Sequence, residues 1–162
     1  MFPPLARVFQ RIRSRIHNAF SQPQSQPQPK PGNLSNEPLS HYHGRIGETA
    51  ARLHLSQRGY RFLISNFKSA RGEIDLIFLH QGCLIFVEVK TRSAHALFRP
   101  ASAVNRRKRR ALERAAYDFL HQRHWPRVRF RFDIVEVLLE GHDVSEVRHL
   151  PDAVRFRHGI RL

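Results

Sequence analysis

The sequence predicts an α/β domain with a mixed central sheet and helices packed against it. Three observations lead there. Helical and strand-like patterns alternate in the order α-β-β-β-α-β. Of two strong strand-like runs, Glu73–Leu79 and Cys83–Val89, the second is apolar on both faces around Glu88, as a strand covered on both sides is. A chain of 162 residues has room for one domain with a proper core, not two.

The elements follow in order. Residues 1–20 read as a basic amphipathic segment. Leu5, Val8, Phe9, Ile12, Ile16 and Phe20 recur at helical spacing, with Arg7, Arg11, Arg13 and Arg15 between them. No apolar h-region or small-residue cleavage site marks it as a secretory leader. It suits contact with a membrane surface, a partner groove or nucleic acid, or else is a tail that is helical only when bound. Residues 21–42 read as a disordered linker. Up to Pro31 they are Ser, Gln and Pro apart from Lys30, and nothing there is apolar enough to bury. The folded domain is then 43–162.

Within it, Gly47–Gln57 is a helix with Ile46, Ala50 and Leu53 inward, joined by Ala51 and Leu55, and Gly59 stops it. Tyr60–Asn66 is a strand. Glu73–Leu79 and Cys83–Val89 form a hairpin about Gln81-Gly82. Ser102–Leu120 is the longest helical pattern, with Val104, Ala111, Leu112, Ala115 and Phe119 on one face, and Trp125-Pro126 ends it. Val128–Leu139 is a strand, and Val144–Leu150 a further short one.

Composition narrows the function. Lys plus Arg number 28 against 13 Asp plus Glu, a formal charge of +15. That excess excludes an acidic scaffold and favours a polyanionic partner. The single Cys83 excludes an internal disulfide and any cysteine-built metal centre. With no apolar run of about 18–20 residues, nothing is expected to span a bilayer, and a cytoplasmic protein is expected. No HExxH or paired Cys/His spacing gives the 11 histidines a metal role.

The chemistry concentrates in residues 72–92, GEIDLIFLHQGCLIFVEVKTR. A two-residue loop at Gln81-Gly82 pairs His80 with Cys83. It then carries Asp75 opposite Glu88 and Glu73 opposite Lys90, all on one face. Directly opposed Cβ atoms stand roughly 4.5–5.5 Å apart. Two carboxylates at that distance repel by about 3 kcal/mol at an effective dielectric of 20, more than strand propensity supplies. A bound cation, the Lys90 ammonium or a shared proton must compensate. Oxygen-only ligands suit Mg²⁺ or Mn²⁺, and a lysine there can position a water or stabilise a phosphoryl oxygen. The competing reading is a set of salt bridges, Glu88–Lys90 and Glu73–Lys90, on a half-solvated sheet face.

An Asp on one strand followed by Glu-x-Lys on the next resembles the PD-(D/E)xK nuclease superfamily, whose core order is also αβββαβ. More closely, several blocks together resemble the YraN family of endonuclease-like bacterial proteins, distantly similar to Holliday-junction resolvases. They are Gly47-Glu48, Gly59-Tyr60, Asn66, Gly72-Glu73-Ile74-Asp75-Leu76-Ile77, Phe86-Val87-Glu88-Val89-Lys90-Thr91-Arg92, Lys108 and Arg131-Phe132-Asp133. The resemblance covers about residues 43–155. It implies a restriction-endonuclease-like core, with Asp75 and Glu88 as metal ligands, Lys90 as the catalytic lysine and Glu48 as a further catalytic acid that completes the metal site. The plainer reading of Glu48 is a helix glutamate favoured by the dipole. Asp133 reads as the partner of an arginine in an internal salt bridge rather than as a catalytic group.

The positive charge lies beside this hairpin. Residues 92–131 hold twelve Lys or Arg and only two acids, Glu113 and Asp118. Arg92 and the run Arg106, Arg107, Lys108, Arg109 and Arg110 are the candidate nucleic-acid contacts, the run surrounding the start of a helix whose dipole adds to the attraction for phosphate. Lys108 alone leans toward the apolar face, where it either contacts phosphate or snorkels out to solvent. The expected function is a Mg²⁺- or Mn²⁺-dependent endonuclease acting on DNA, branched and single-stranded forms included. The alternative is a non-catalytic nucleic-acid-binding protein that keeps the fold. Two-fold substrates such as junctions would suit a homodimer.

Overall fold

A computed structural model describes residues 38–95, 105–123 and 128–154. The basic segment 1–20, the linker as far as residue 37, Val104 and the Trp125-Pro126 terminator lie outside them. The described elements are α1 (Leu39–Gln57), β1 (Arg61–Ser69), β2 (Gly72–His80), β3 (Cys83–Ser93), α2 (Arg106–Gln122), β4 (Arg129–Glu140) and β5 (Asp143–Leu150). The expected α/β class is borne out, and the short strand after β4 is present as β5.

The five strands form one mixed sheet in the order β1-β2-β3-β4-β5. Neighbours are antiparallel except β3 and β4, which run parallel. A parallel pair needs a long crossover, and the stretch containing α2 supplies it. Each face of the sheet carries a helix. On one face Leu112, Ala115, Ala116 and Phe119 of α2 pack on Ile77, Leu84, Phe86 and Phe132. On the other, Ala51 and Leu55 of α1 pack on Leu76, Phe78, Ile85, Val87 and Val135. Burial on both faces is why β3 reads as a nearly unbroken apolar run, whereas β4 alternates Arg and Phe at its start and turns apolar from Ile134 onward.

Two details of α1 differ from the sequence reading. The helix begins at Leu39, so its first turn takes in residues placed at the end of the linker. Those turns are polar and are held by tertiary contacts that periodicity does not show. His43 Nε2 lies 3.1 Å from His142 Nδ1 in the β4–β5 turn, and the Tyr42 ring meets His142 edge-on. The buried stripe is Gly47, Ala51 and Leu55, at i, i+4 spacing, which leaves Leu53 58% exposed instead of inward.

The helices approach the sheet closely near the site. A Cβ at Gly47 would run into Thr91 of β3, and one at Gly72 into the carbonyl oxygen of Ala111 in α2. Glycine at these two positions lets both helices close on the strands that carry the acidic residues.

Candidate active site

The β2–β3 hairpin has the register that its turn predicts. Gln81 and Gly82 both have positive φ, 48° and 72°, as a type I′ turn requires, and His80 pairs with Cys83. Pairing continues as far as Leu76↔Val87. There the ladder stops, and the expected Asp75–Glu88 and Glu73–Lys90 backbone pairs do not form in it. Beyond that point β3 pairs only with β4, through Glu88↔Ile134 to Ser93↔Leu139. Asp75 fills the gap with its side chain: Oδ2 accepts a hydrogen bond from the Val89 amide at 2.6 Å.

The separation of the strands opens a cavity of about 530 Å³. Glu48, Asp75, Glu88 and Lys90, the four residues expected to carry chemistry, all line it, together with Glu73, Lys108 and Arg92. Glu88 is 3% exposed. Its Oε1 accepts from Lys90 Nζ at 2.5 Å, and its Oε2 lies 3.0 Å from Lys108 Nζ. Lys108 is also 3.9 Å from Glu73 Oε1, so Glu73 meets this lysine rather than Lys90. Lys108 therefore neither only snorkels nor only faces outward. It reaches from the first turn of α2 into the acidic cluster. Glu48 enters from α1, and its Oε2 accepts from the side-chain amide of Asn66 at 2.9 Å.

The charges influence one another. Burial and the neighbouring Glu88 carboxylate push Asp75 up to about 7, although the Val89 amide and Lys108 pull the other way. Burial works to lower Lys108, but Glu88, Asp75 and Glu73 outweigh it and raise its pKa. Glu88 Oε2 is buried, with the Lys108 ammonium 3.0 Å away as its ion-pair partner.

No group of three or more His, Cys, Asp or Glu among the described residues is arranged to hold a metal ion. The donors available are the pair Asp75 and Glu88, with Glu48 lining the same cavity. That set does not suit a closed zinc site. It fits Mg²⁺ or Mn²⁺, since Mg²⁺ takes one or two protein carboxylates and fills its other positions with water and phosphate oxygens.

The other predicted residues have different places. Arg106, Arg107 and Arg110 are exposed at the start of α2, and Arg109 is half-buried. None of these four lines the cavity. Asp133 is fully buried and accepts from Arg131 Nε at 2.9 Å and Nη2 at 3.1 Å, from His149 Nε2 at 2.8 Å and from the Asp152 amide at 2.9 Å. The expected internal salt bridge is present there, well enclosed by hydrogen bonds. Sequence reasoning assigned no role to Asn66. Its signal was a turn-prone residue inside a strand run, and Asn66 indeed has a φ of 53°. No helix of the described residues is long and apolar enough to cross a membrane.

Comparison with known proteins places these features in a family. The model of a group described as "Uncharacterised protein family UPF0102" matches residues 47–137, which include Glu48, Asn66, Asp75, Glu88, Lys90, Lys108 and Asp133. A UPF0102 protein of Trichlorobacter lovleyi is 37% identical over 111 residues, 68% of this chain and 87% of that protein. One from Chlorobaculum parvum is 41% identical over 105 residues, 65% of this chain and 81% of its own length. One from Caldanaerobacter subterraneus is 38% identical over 112 residues, 68% and 92% of the two chains.

Proposed function

The chain belongs to the uncharacterised protein family UPF0102, the YraN family that its motifs resemble, and we propose that its acidic cavity makes it a divalent-metal-dependent endonuclease that hydrolyses phosphodiester bonds in DNA. One observation carries this reading. The strands part where Asp75 and Glu88 stand, and the cavity between them gathers both acids with Lys90 and Lys108. An acidic pair, Glu88 buried and Asp75 half-buried, with lysines at its edge suits a substrate whose reacting group is an anionic phosphate.

A Mg²⁺ or Mn²⁺ ion held by Asp75 and Glu88, with Glu48 beside them, would lower the pKa of a bound water and neutralise charge at the scissile phosphate. The chain's own groups do the rest. The Val89 amide fixes Asp75 against β3. Glu88 Oε1 holds the Lys90 ammonium at 2.5 Å, so that lysine is oriented at the cavity wall to direct a water or receive a phosphoryl oxygen. Arg106, Arg107 and Arg110, exposed on α2, contact backbone phosphates outside the cavity. These are charge contacts, so the enzyme selects DNA by shape and charge, with branched and single-stranded forms among its substrates, and salt weakens binding steeply.

The test is cleavage by the full chain of duplex, single-stranded and branched DNA and of RNA, with Mg²⁺, Mn²⁺ or chelator. Wild type should cut at least one DNA only when metal is present. Asp75→Asn and Lys90→Ala should lose about a hundredfold or more in rate while still binding. A second reading, a nucleic-acid-binding protein without turnover, is favoured by one observation: two lysines already balance Glu88 without an ion. Tight binding of DNA by wild type with no cleavage of any substrate would select it.

A further inference from the structure

Lys108 occupies an unusual place for a cation. It stands in the first turn of α2, which contains no acid and where the helix dipole disfavours positive charge. Its backbone is pinned there, because its amide donates to Asn105 Oδ1 at 2.8 Å. The helix is also docked closely on β2, with the Ala111 carbonyl against Gly72. Only the side chain is free to adjust, and it extends to within 3.0 Å of Glu88 Oε2.

That contact has a particular character. Lys90 takes Oε1 of Glu88 through a hydrogen bond. Oε2 is left buried, and the Lys108 ammonium, 3.0 Å away, is the cation paired with it. Oε2 is therefore the oxygen that a metal ion would need, and a cation already lies next to it.

From this arrangement we infer that Lys108 is a tethered counter-ion that stands in for the divalent cation at Asp75 and Glu88, and that it must leave when the cation enters. The inference rests on the metal-binding reading above and adds a competitor built into the chain. An ammonium and a divalent ion in contact with one buried carboxylate oxygen repel each other strongly, because the surrounding protein screens charge less than bulk water does. Lysine suits the role. Its compact charge sits on a flexible stem and needs no bidentate geometry, unlike arginine. Lys108 is 28% exposed, so its ammonium has a route to solvent, where Arg106, Arg107 and Arg110 already present a cationic surface. The ion then binds against an internal competitor, and a phosphate chain that takes up the released lysine favours its entry.

The experiment measures Mn²⁺ binding by electron paramagnetic resonance on the full chain without nucleic acid, so that catalysis plays no part. Lys108→Met and Lys108→Gln should each bind Mn²⁺ roughly tenfold more tightly than wild type, a gain typical of coupling between two sites. Lys108→Arg, which keeps the charge, should not gain. Asp75→Asn should lose binding. If wild type binds Mn²⁺ at Asp75 but neither neutral variant binds more tightly, or if Lys108→Arg gains equally, the counter-ion role is wrong and the metal site stands. If neither wild type nor any variant binds Mn²⁺, the metal reading fails and the counter-ion role falls with it.

Discussion

The side-chain amide of Asn66 and the carboxylate of Glu48 meet at 2.9 Å, linking β1 to α1 at the rim of the acidic cavity. Asn66 can do this because its backbone leaves the strand conformation, with φ at 53°. It falls between the pairs Ser65↔Leu76 and Phe67↔Ile74, at the level of Asp75. Asparagine is among the few residues other than glycine that accept this left-handed region. Asn66→Gly keeps the backbone and removes the amide. Its unfolding free energy in urea should stay within about 1 kcal/mol of wild type. Cleavage should fall about tenfold as Glu48 loses its orientation. Asn66→Val should instead cost roughly 1–3 kcal/mol, since a β-branched residue is strained at this φ. A fully stable valine variant would show that the turn is not required.

Gly72 sets how closely α2 lies on the sheet. A methyl group there would meet the Ala111 carbonyl, a backbone atom that cannot rotate away. Gly72→Ala should cost about 1–3 kcal/mol as an overpacked site. It should also draw Lys108 away from Glu88, because the helix that carries it must retreat. Denaturant unfolding measures the first effect, and a changed Mn²⁺ affinity reports the second. Wild-type stability in Gly72→Ala would contradict the close docking.

Asp133 anchors the start of β4 to the end of β5. Burial alone would raise its pKa, but hydrogen bonds from His149, Arg131 and the Asp152 amide prevail and hold it below the usual carboxylate range. Its pKa is thus lower in the folded chain than in the unfolded one. The stabilisation is complete above the unfolded value of about 3.9 and is lost as pH falls through the folded value. Asp133→Asn should cost about 2–3 kcal/mol at neutral pH, at the lower end for a broken buried pair because Arg131 is 30% exposed. The gap between variant and wild type should narrow on acidification, as followed by thermal unfolding from pH 7 to pH 3. A gap that widened toward acid would mean Asp133 is not ionised in the fold.

The hairpin was legible because its turn chemistry is local. Once Gln81 and Gly82 adopt positive φ, every pair back to Leu76↔Val87 is determined. The break beyond that pair was not legible, because it depends on Asp75 choosing the Val89 amide over a place in the ladder. For the same reason Glu73 was assigned to Lys90, its partner in an unbroken ladder, rather than to Lys108. Lys108 itself belongs to another element, and only the docking of α2 at Gly72 brings it to Glu88. The early start of α1 was hidden too, since its first turns are held by His43 and His142 rather than by an apolar stripe. Periodicity reports burial along one element. It does not report which polar groups two elements bring together.

The Asp75–Glu88 pair should make the metal-free protein less stable in base. Burial and the Glu88 charge raise Asp75 to about 7 in the fold, above its unfolded value near 3.9. A carboxyl raised in this way imposes no penalty below the unfolded value. The penalty grows as pH climbs from about 4 and is complete above about 7, where it is on the order of a few kcal/mol. Wild type stripped of metal should therefore melt at a lower temperature at pH 8 than at pH 5 by more than Asp75→Asn does. At pH 8 the variant should be the more stable of the two. Added Mg²⁺ or Mn²⁺ should restore wild type at pH 8, because an ion that binds only the folded chain offsets the repulsion, and it should leave Asp75→Asn unmoved. If Asp75→Asn is instead the less stable protein at pH 8 without metal, the two acids do not oppose each other in the fold, and the lysines alone already settle their charge.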